Sequence, residues 1–329
     1  MVVKQKYIVV ITTRAITGGT EAAHQLVYAL NSLNIQASIC YFPFGPNYNV
    51  PVHFSRYVDR CVNFEDRSET LFVFPEIMTR QALKIKRGTV AIWWLSVDNY
   101  YGVKHENFFT DLYLKSFVFL KNRIPIFLMK NYLHFVQSEY AKSHLMKQGI
   151  RPYYLTDYIS GEKFEKNKKW NIATKKNIVF YNPKKGKIFT ENIIKSLPSV
   201  FFMPIVDLEP NEVRALLQSG KVYIDFGHHP GKDRIPREAV QNDCVIITSR
   251  TGSAAFIEDL PIPDIYKIEI RDPNFMQKFA ELLEGVFNNF EFHHSNFLYM
   301  RQQIQFESTR FMNEVSMLFD SSNPPSFHN

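Results

Sequence analysis

The chain alternates short apolar runs with amphipathic segments, and it does so twice. The first series opens on KYIVVITT (6–13), rich in β-branched residues, and on the pair Gly18-Gly19. TEAAHQLVYALNSLN (20–34) then sets Ala23, Leu26, Val27 and Leu30 at helical spacing, with Thr20 as N-cap and Glu21 in the first turn. QASICYF (36–42), LFVFPE (71–76) and TVAIWWLSVD (89–98) read as strands. HFVQSEYAKSHLMKQG (134–149) reads as a strand running into a helix, capped by Ser138 and stopped at Gly149. The second series has strands at 177–183, 199–206, 221–227, 244–250 and 265–270. Its helices fall at 190–197, 211–220 and 236–243, the last with Pro236 at its first position, where a missing N–H costs nothing. Residues from about Asn274 to Phe319 are mostly helical. Strands interleaved with helices predict parallel sheets covered on both faces. The lysine-rich stretch GEKFEKNKKWNIATKK (161–176) separates the series and reads as a linker or exposed loop. The expectation is an α/β chain of two Rossmann-like domains, 1–160 and 161–305, followed by a C-terminal helix and frayed tail over 306–329.

Length and composition agree. A chain of 329 residues accommodates about two domains. Hydrophobic residues at 45% and charged residues at 22% exclude disorder, collagen and coiled coil as descriptions of the whole. Cys40, Cys61 and Cys244 are too few and scattered for a disulfide scaffold or a cysteine-built metal site, and they suit a reducing compartment. The balance of 39 basic and 32 acidic residues, +7, suits anionic partners such as nucleotides, phosphates or a lipid surface. The N-terminal run lacks the features of a signal peptide, and Leu112 to Phe135 is broken by Lys115, Lys121, Arg123, Pro125 and Lys130, so a cytoplasmic location is expected. LYLKSFVFLKNRIPIFLMK (112–130) mixes basic and bulky apolar residues. It reads either as a peripheral contact with an anionic membrane face or as a core helix and strand with exposed lysines.

Four strand-end segments carry groups suited to chemistry. TGGTE (17–21) offers backbone N–H groups at a helix start, where an anion is favoured. FYNPKKGK (180–187) crowds Lys184, Lys185 and Lys187 beside Gly186. In open α/β sheets ligands bind outside the carboxyl ends of strands, and lysines there are natural phosphate partners. DFGHHPGKDRIPREA (225–239) gathers Asp225, His228, His229, Lys232, Asp233, Arg234, Arg237 and Glu238 in one loop and helix start. Its cations can neutralise a diphosphate, and Glu238 can accept from sugar hydroxyls. Adjacent histidines rarely chelate one ion, and no metal is expected. SRTGSAA (249–255) adds Ser249, Gly252 and Ser253. At the ends of the first-series strands, Glu76 and Asp98 are candidate general bases, and Trp93 and Trp94 read as core.

With these segments in hand, the chain resembles a glycosyltransferase of the two-Rossmann (GT-B) type, near the large retaining group known as family 4 or group 1. The resemblance rests on the Gly18-Gly19 turn, HFVQSEYAKSHL, the Lys185-Gly186 pair, and the PREA start followed by CVIITSRTGSAA. It implies two domains facing a cleft, the acceptor against the N-terminal one and the nucleotide against the C-terminal one. It also implies a last helix that returns to the N-terminal domain. By position Lys185 resembles the lysine that holds the donor diphosphate, and Gly18 and Gly19 the loop near the donor phosphates. Glu238 resembles the ribose-binding glutamate, and Gly252 and Ser253 the loop after it. The chain departs from the retaining pattern at Pro230, which stands eight residues before Glu238 in place of a second glutamate. His229-Pro230 is also similar to the histidine-proline pair of bacterial transferases that use CMP-linked acid sugars.

The implied function is sugar transfer from a nucleotide-sugar donor to a hydroxyl of a glycan or glycolipid, of the cell-surface polysaccharide type. No cofactor, metal or nucleic acid is expected. His229, Lys232 and Arg234 join Asp98 and Glu76 as candidate catalytic residues. Lys184, Lys185, Arg237, Glu238, Ser249, Gly252 and Ser253 join Gly18 and Gly19 on the donor side. A nucleotide-sugar epimerase, a phosphorylase or a non-catalytic nucleotide or glycan binder on the same architecture are the alternatives. A dinucleotide-dependent dehydrogenase fits poorly, because the first turn lacks the fingerprint.

Overall fold

The computed structural model describes residues 7–46, 48–102, 122–159 and 172–319. The chain divides into two compact units, Met1–Tyr158 with Glu307–Asn329, and Ile159–Phe306.

The first unit is built on strands β1 (Tyr7–Thr12), β2 (Ala37–Tyr41), β3 (Thr70–Pro75), β4 (Thr89–Trp94), β5 (Leu133–Val136) and β6 (Tyr153–Tyr154). All pairs are parallel, in the order β2-β1-β3-β4-β5-β6. The central strands are buried along nearly their whole length, as a sheet covered on both faces requires. Helix α1 (Gly18–Ser32) follows β1, α2 (Thr79–Ala82) and α3 (Val97–Tyr101) follow β3 and β4, and α4 (Glu139–Lys147) follows β5. Trp93 and Trp94 are buried on the two faces of the sheet.

The second unit holds β7 (Lys176–Tyr181), β8 (Phe201–Pro204), β9 (Gly220–Asp225), β10 (Val245–Ser249) and β11 (Lys267–Ile268). Their order is β11-β10-β9-β7-β8, again all parallel. Helices α5 (Lys187–Ser196), α6 (Pro210–Ser219) and α7 (Arg234–Gln241) connect them, and α8 (Phe275–Asn288), α9 (Phe290–Ser295) and α10 (Leu298–Gln305) complete the unit. The last helix, α11 (Glu307–Phe319), belongs to the first unit, whose core takes Phe311 and Val315. Glu314 fastens it there by accepting from Thr156 N (2.7 Å) and Thr156 Oγ1 (2.8 Å).

In both sheets the strand order reverses at one place. In the first, β1 lies between β2 and β3; in the second, β7 lies between β8 and β9. Two loops diverge at such a switch point and leave the crevice where α/β sheets bind ligands.

Several element boundaries differ from the sequence reading. Helix α1 starts at Gly18, and its N-cap is Thr17, whose side chain accepts from Thr20 N (3.3 Å), rather than Thr20. The fourth strand stops at Trp94, because Ser96 caps α3 by accepting from Asn99 N (3.1 Å). Helix α7 begins two residues before Pro236, which is its third residue. The final strand shrinks to Lys267–Ile268 behind a 3-10 turn at Asp264–Tyr266. Most of the proposed linker, and residues 112–121 of the basic apolar stretch, lie outside the described residues. Among the described residues, no helix is long and apolar enough to cross a membrane.

Candidate functional site

The switch point of the second unit gathers the residues with the most chemistry. Lys185 follows β7, and Asp225 ends β9. The two loops touch so closely that a Cβ on Gly186, itself left-handed at φ +54°, would fall 2.9 Å from Gly227 N. Lys185 Nζ lies 2.8 Å from Asp225 Oδ2 and 2.7 Å from Asp233 Oδ2. Burial works against its charge, but the two carboxylates hold the ammonium above the ordinary lysine range. Asp233 is also held ionised: burial opposes its charge, and Lys185 and His229 outweigh that. The ring of His229 is turned inward, with Nδ1 2.8 Å from Asp233 Oδ2 and Nε2 2.9 Å from Thr248 Oγ1.

Asp225, His229 and Asp233 bring three potential ligand atoms within 4.8 Å of one another, the arrangement a metal ion would use. The Lys185 ammonium is bonded to both carboxylates and stands where a cation would.

The loop after β9 is laced to the loop after β10. Ser249 Oγ and Thr251 Oγ1 both reach Gly227 O (3.2 Å each), Ser253 N donates to His229 O (2.9 Å), and Ser253 Oγ donates to Gly231 O (2.5 Å). Ser249 and Ser253 are buried and engaged in this lacing, so they position the loop rather than face solvent. Gly252 sits at φ +56°, and a Cβ there would lie 2.0 Å from His229 O and 2.8 Å from His228 Nε2. Only glycine fits.

Arg237, expected on the donor side, turns inward. It is 1% exposed, and its Nε and one NH2 donate to the carbonyls of Asp233 (3.1 Å) and Lys232 (3.0 Å). Arg234 and Glu238 are partly exposed and lie 3.5 Å apart one helical turn from each other. Glu238 is in the second turn of α7, not the first. Lys232 is half-buried on the same loop, and the exposed Lys184 lies 3.9 Å from Asp207.

In the first unit the switch point carries Glu76, directly after β3. Leu95 N donates to Glu76 Oε2 (3.0 Å), and Leu95 Cδ1 would be 3.2 Å from a Cβ on Gly19. The carboxyl and the Gly18-Gly19 helix start are thus neighbours on one edge. Burial pushes the Glu76 carboxyl up to about 7, against the pull of backbone N–H groups at Leu95 and Ser96 and of Arg123. Asp98, buried in α3, accepts from Tyr140 Oη (3.2 Å). The adjacent acid Glu21 is bonded by Arg56 (2.6 Å) and Tyr57 Oη (2.8 Å). Sequence reasoning missed His24, buried with Nδ1 2.7 Å from Thr20 O and Nε2 2.8 Å from Tyr41 Oη. Its helical position on the buried face was the available signal.

A scan against protein-family models finds no match, and a search of curated proteins finds none either. Solved structures do match over nearly the whole chain. A sucrose-phosphate synthase from Thermosynechococcus elongatus superposes with a TM-score of 0.65 at 11% identity, covering 95% of this chain and 98% of its own. HepE from Anabaena, solved in complex with UDP-glucose, gives 0.59 at 10% identity over 94% and 98%. An α,α-trehalose-phosphate synthase (UDP-forming) from Burkholderia vietnamiensis gives 0.52 at 10% identity over 94% and 99%. The likeness is one of fold: the chain carries the two parallel-sheet α/β units of the GT-B architecture.

Proposed function

We propose that the protein transfers a sugar from a nucleotide-activated donor to a hydroxyl of a glycan or glycolipid, as in cell-surface polysaccharide assembly. The observation that carries this is the second unit's switch point, where the loops after β7, β9 and β10 bring lysine, arginine, histidine and glycine to one sheet edge. The fold it shares with sugar-nucleotide enzymes supports the reading.

As the donor's glycosidic bond breaks, negative charge develops on the leaving phosphate. Lys232 and Arg234, with the N–H groups at the start of α5, are suited to stabilise it. Lys185 does so only in part, because Asp225 and Asp233 already balance its charge. We read the transfer as metal-independent, with the Lys185 ammonium in the cation's place. Glu238 remains the candidate for the ribose hydroxyls. Glu76, titrating near neutrality, is the group of the first unit best suited to take a proton from an acceptor; Asp98 is the second.

Replacing Lys232 or Arg234 with alanine should lower turnover at least tenfold in a folded protein, and activity should survive chelation by EDTA. Wild-type turnover in both variants removes the leaving-group role. A cytoplasmic, peripheral position at the membrane face is part of the proposal: Phe127 and Leu128 are exposed beside Lys130. Flotation with acidic liposomes tests it, and no binding ends it.

A further inference from the structure

Four side chains at the second unit's switch point are arranged as a coordination sphere around a cation. Asp225, His229 and Asp233 each offer one ligand atom, and the three atoms lie within 4.8 Å of one another. Two carboxylates and an imidazole are a donor set for a divalent ion such as Mn²⁺ or Zn²⁺. The Lys185 ammonium sits between the carboxylates, 2.8 Å from Asp225 Oδ2 and 2.7 Å from Asp233 Oδ2. Metal–oxygen bonds are about 2.1 Å, so an ion in that place asks each carboxylate to move by only roughly half an ångström.

The imidazole is oriented as a ligand's is. Thr248 Oγ1 donates to Asp225 O (2.8 Å), so it meets His229 Nε2 (2.9 Å) as an acceptor. Nε2 therefore keeps its proton, and Nδ1 is the nitrogen turned to Asp233 Oδ2 (2.8 Å). Metal-binding histidines make the same kind of second bond, which fixes the tautomer and leaves the other nitrogen for the ion. The side chains of Asp225 and His229 are 2% exposed, those of Asp233 and Lys185 24% and 22%, so solvent reaches the cluster past the last two.

We propose that Asp225, His229 and Asp233 form a divalent-cation site that Lys185 closes. The chain carries its own counter-ion there, and a Mn²⁺ or Zn²⁺ ion and the ammonium exclude each other. Without the lysine, buried carboxylate charge lacks compensation. A divalent ion then supplies it, and the Nδ1 proton leaves to solvent as the ion binds. This assignment goes beyond the sugar-transfer reading and stands on the geometry of the cluster alone, so neither falls with the other.

The test is titration of MnCl₂ into the full chain, with free Mn²⁺ followed by electron paramagnetic resonance, in wild type, Lys185→Ala and Lys185→Ala/Asp233→Asn. Alanine keeps the Cβ and vacates the place of the ammonium. Lys185→Ala should bind one Mn²⁺ at least about tenfold more tightly than wild type, and the double variant should lose that gain. At about a hundredfold excess over its dissociation constant, Mn²⁺ should raise the melting midpoint of Lys185→Ala by about 5 °C and leave that of wild type unchanged. If Lys185→Ala is unfolded in EDTA, recovery of its far-ultraviolet circular dichroism on adding Mn²⁺ supports the site equally. No Mn²⁺ binding by Lys185→Ala, a gain that survives Asp233→Asn, or a chain that stays unfolded with the ion overturns the site. Equal affinity in wild type and Lys185→Ala overturns its closure by the lysine.

Discussion

Lys185 Nζ lies 2.7 Å from Asp233 Oδ2, which joins the loop after β7 to the residue that precedes α7. Asp225 completes the bridge from the end of β9 at 2.8 Å. One ammonium thus ties together the two loops that diverge at the second unit's switch point. Removing one partner of a buried ion group leaves uncompensated charge, which typically costs about 3 kcal/mol or more. Lys185→Met should therefore lower the second unit's stability by about 3 kcal/mol in urea denaturation. Adding Asp225→Asn should recover part of the loss, since the two sites share one interaction. Equal stability of wild type and Lys185→Met would show that the bridge contributes nothing.

A second prediction concerns Gly252. Its left-handed backbone and the 2.0 Å approach to His229 O leave no room for a side chain. Gly252→Ala should destabilise the second unit by more than about 1 kcal/mol. Gly45→Ala is the control, because a Cβ there meets only Tyr48 ring atoms at 3.5 Å or more. Equal melting of the two variants would contradict the structure at this loop.

The first unit should show two opposing pH dependences. His134 is buried, accepts from Trp94 Nε1 at 3.0 Å, and has its imidazole pushed down to about 4 by burial. Between about 6.5 and 4 the unfolded chain takes up the proton first, so this group's stabilisation is lost as pH falls. Glu76 runs the other way. Its folded value, about 7, exceeds the unfolded value near 4.5, so its stabilisation is lost as pH rises through that interval. Each spans about 3 kcal/mol at about 1.4 kcal/mol per pH unit. His24, also buried with its imidazole pushed down, adds to the His134 side of this balance, so the readout is each variant's change from the wild-type curve between pH 4.5 and 6.5. Relative to that curve, Glu76→Gln should make stability rise with pH, and His134→Gln should make it fall. Parallel curves for all three proteins would contradict the burial of both groups.

The C-terminal helix offers a fourth site. Glu314 accepts two hydrogen bonds from Thr156 and is buried with them. Glu314→Ala should cost about 2 kcal/mol, the usual range for charged hydrogen bonds left unmade. Differential scanning calorimetry should place the loss in the transition of the first unit and leave the second unchanged.

The alternating hydrophobic runs made both sheets legible, because parallel strands buried on two faces read as continuous apolar segments. Trp93, Trp94, Cys40 and Cys244 were legible as core for the same reason. The strand-end residues were legible only as a set. Nothing in their spacing shows that Arg237 turns inward onto two carbonyls, that Ser249 and Ser253 lace one loop to another, or that of two adjacent histidines one is buried. Those outcomes depend on which backbone carbonyls need donors once the loops meet, and that is settled by tertiary contact. The start of α1 was misplaced because Thr17 and Thr20 are both suitable caps, and glycines at 18 and 19 weaken the local helical signal.

Hydrogen exchange measured by mass spectrometry, with and without UDP, GDP, ADP, dTDP or CMP, tests the central claim most directly. A bound donor nucleotide should slow exchange in peptides spanning 182–189, 225–234 and 249–254 together. Protection confined to other segments, or none with any nucleotide, would contradict a donor site at the second unit's switch point.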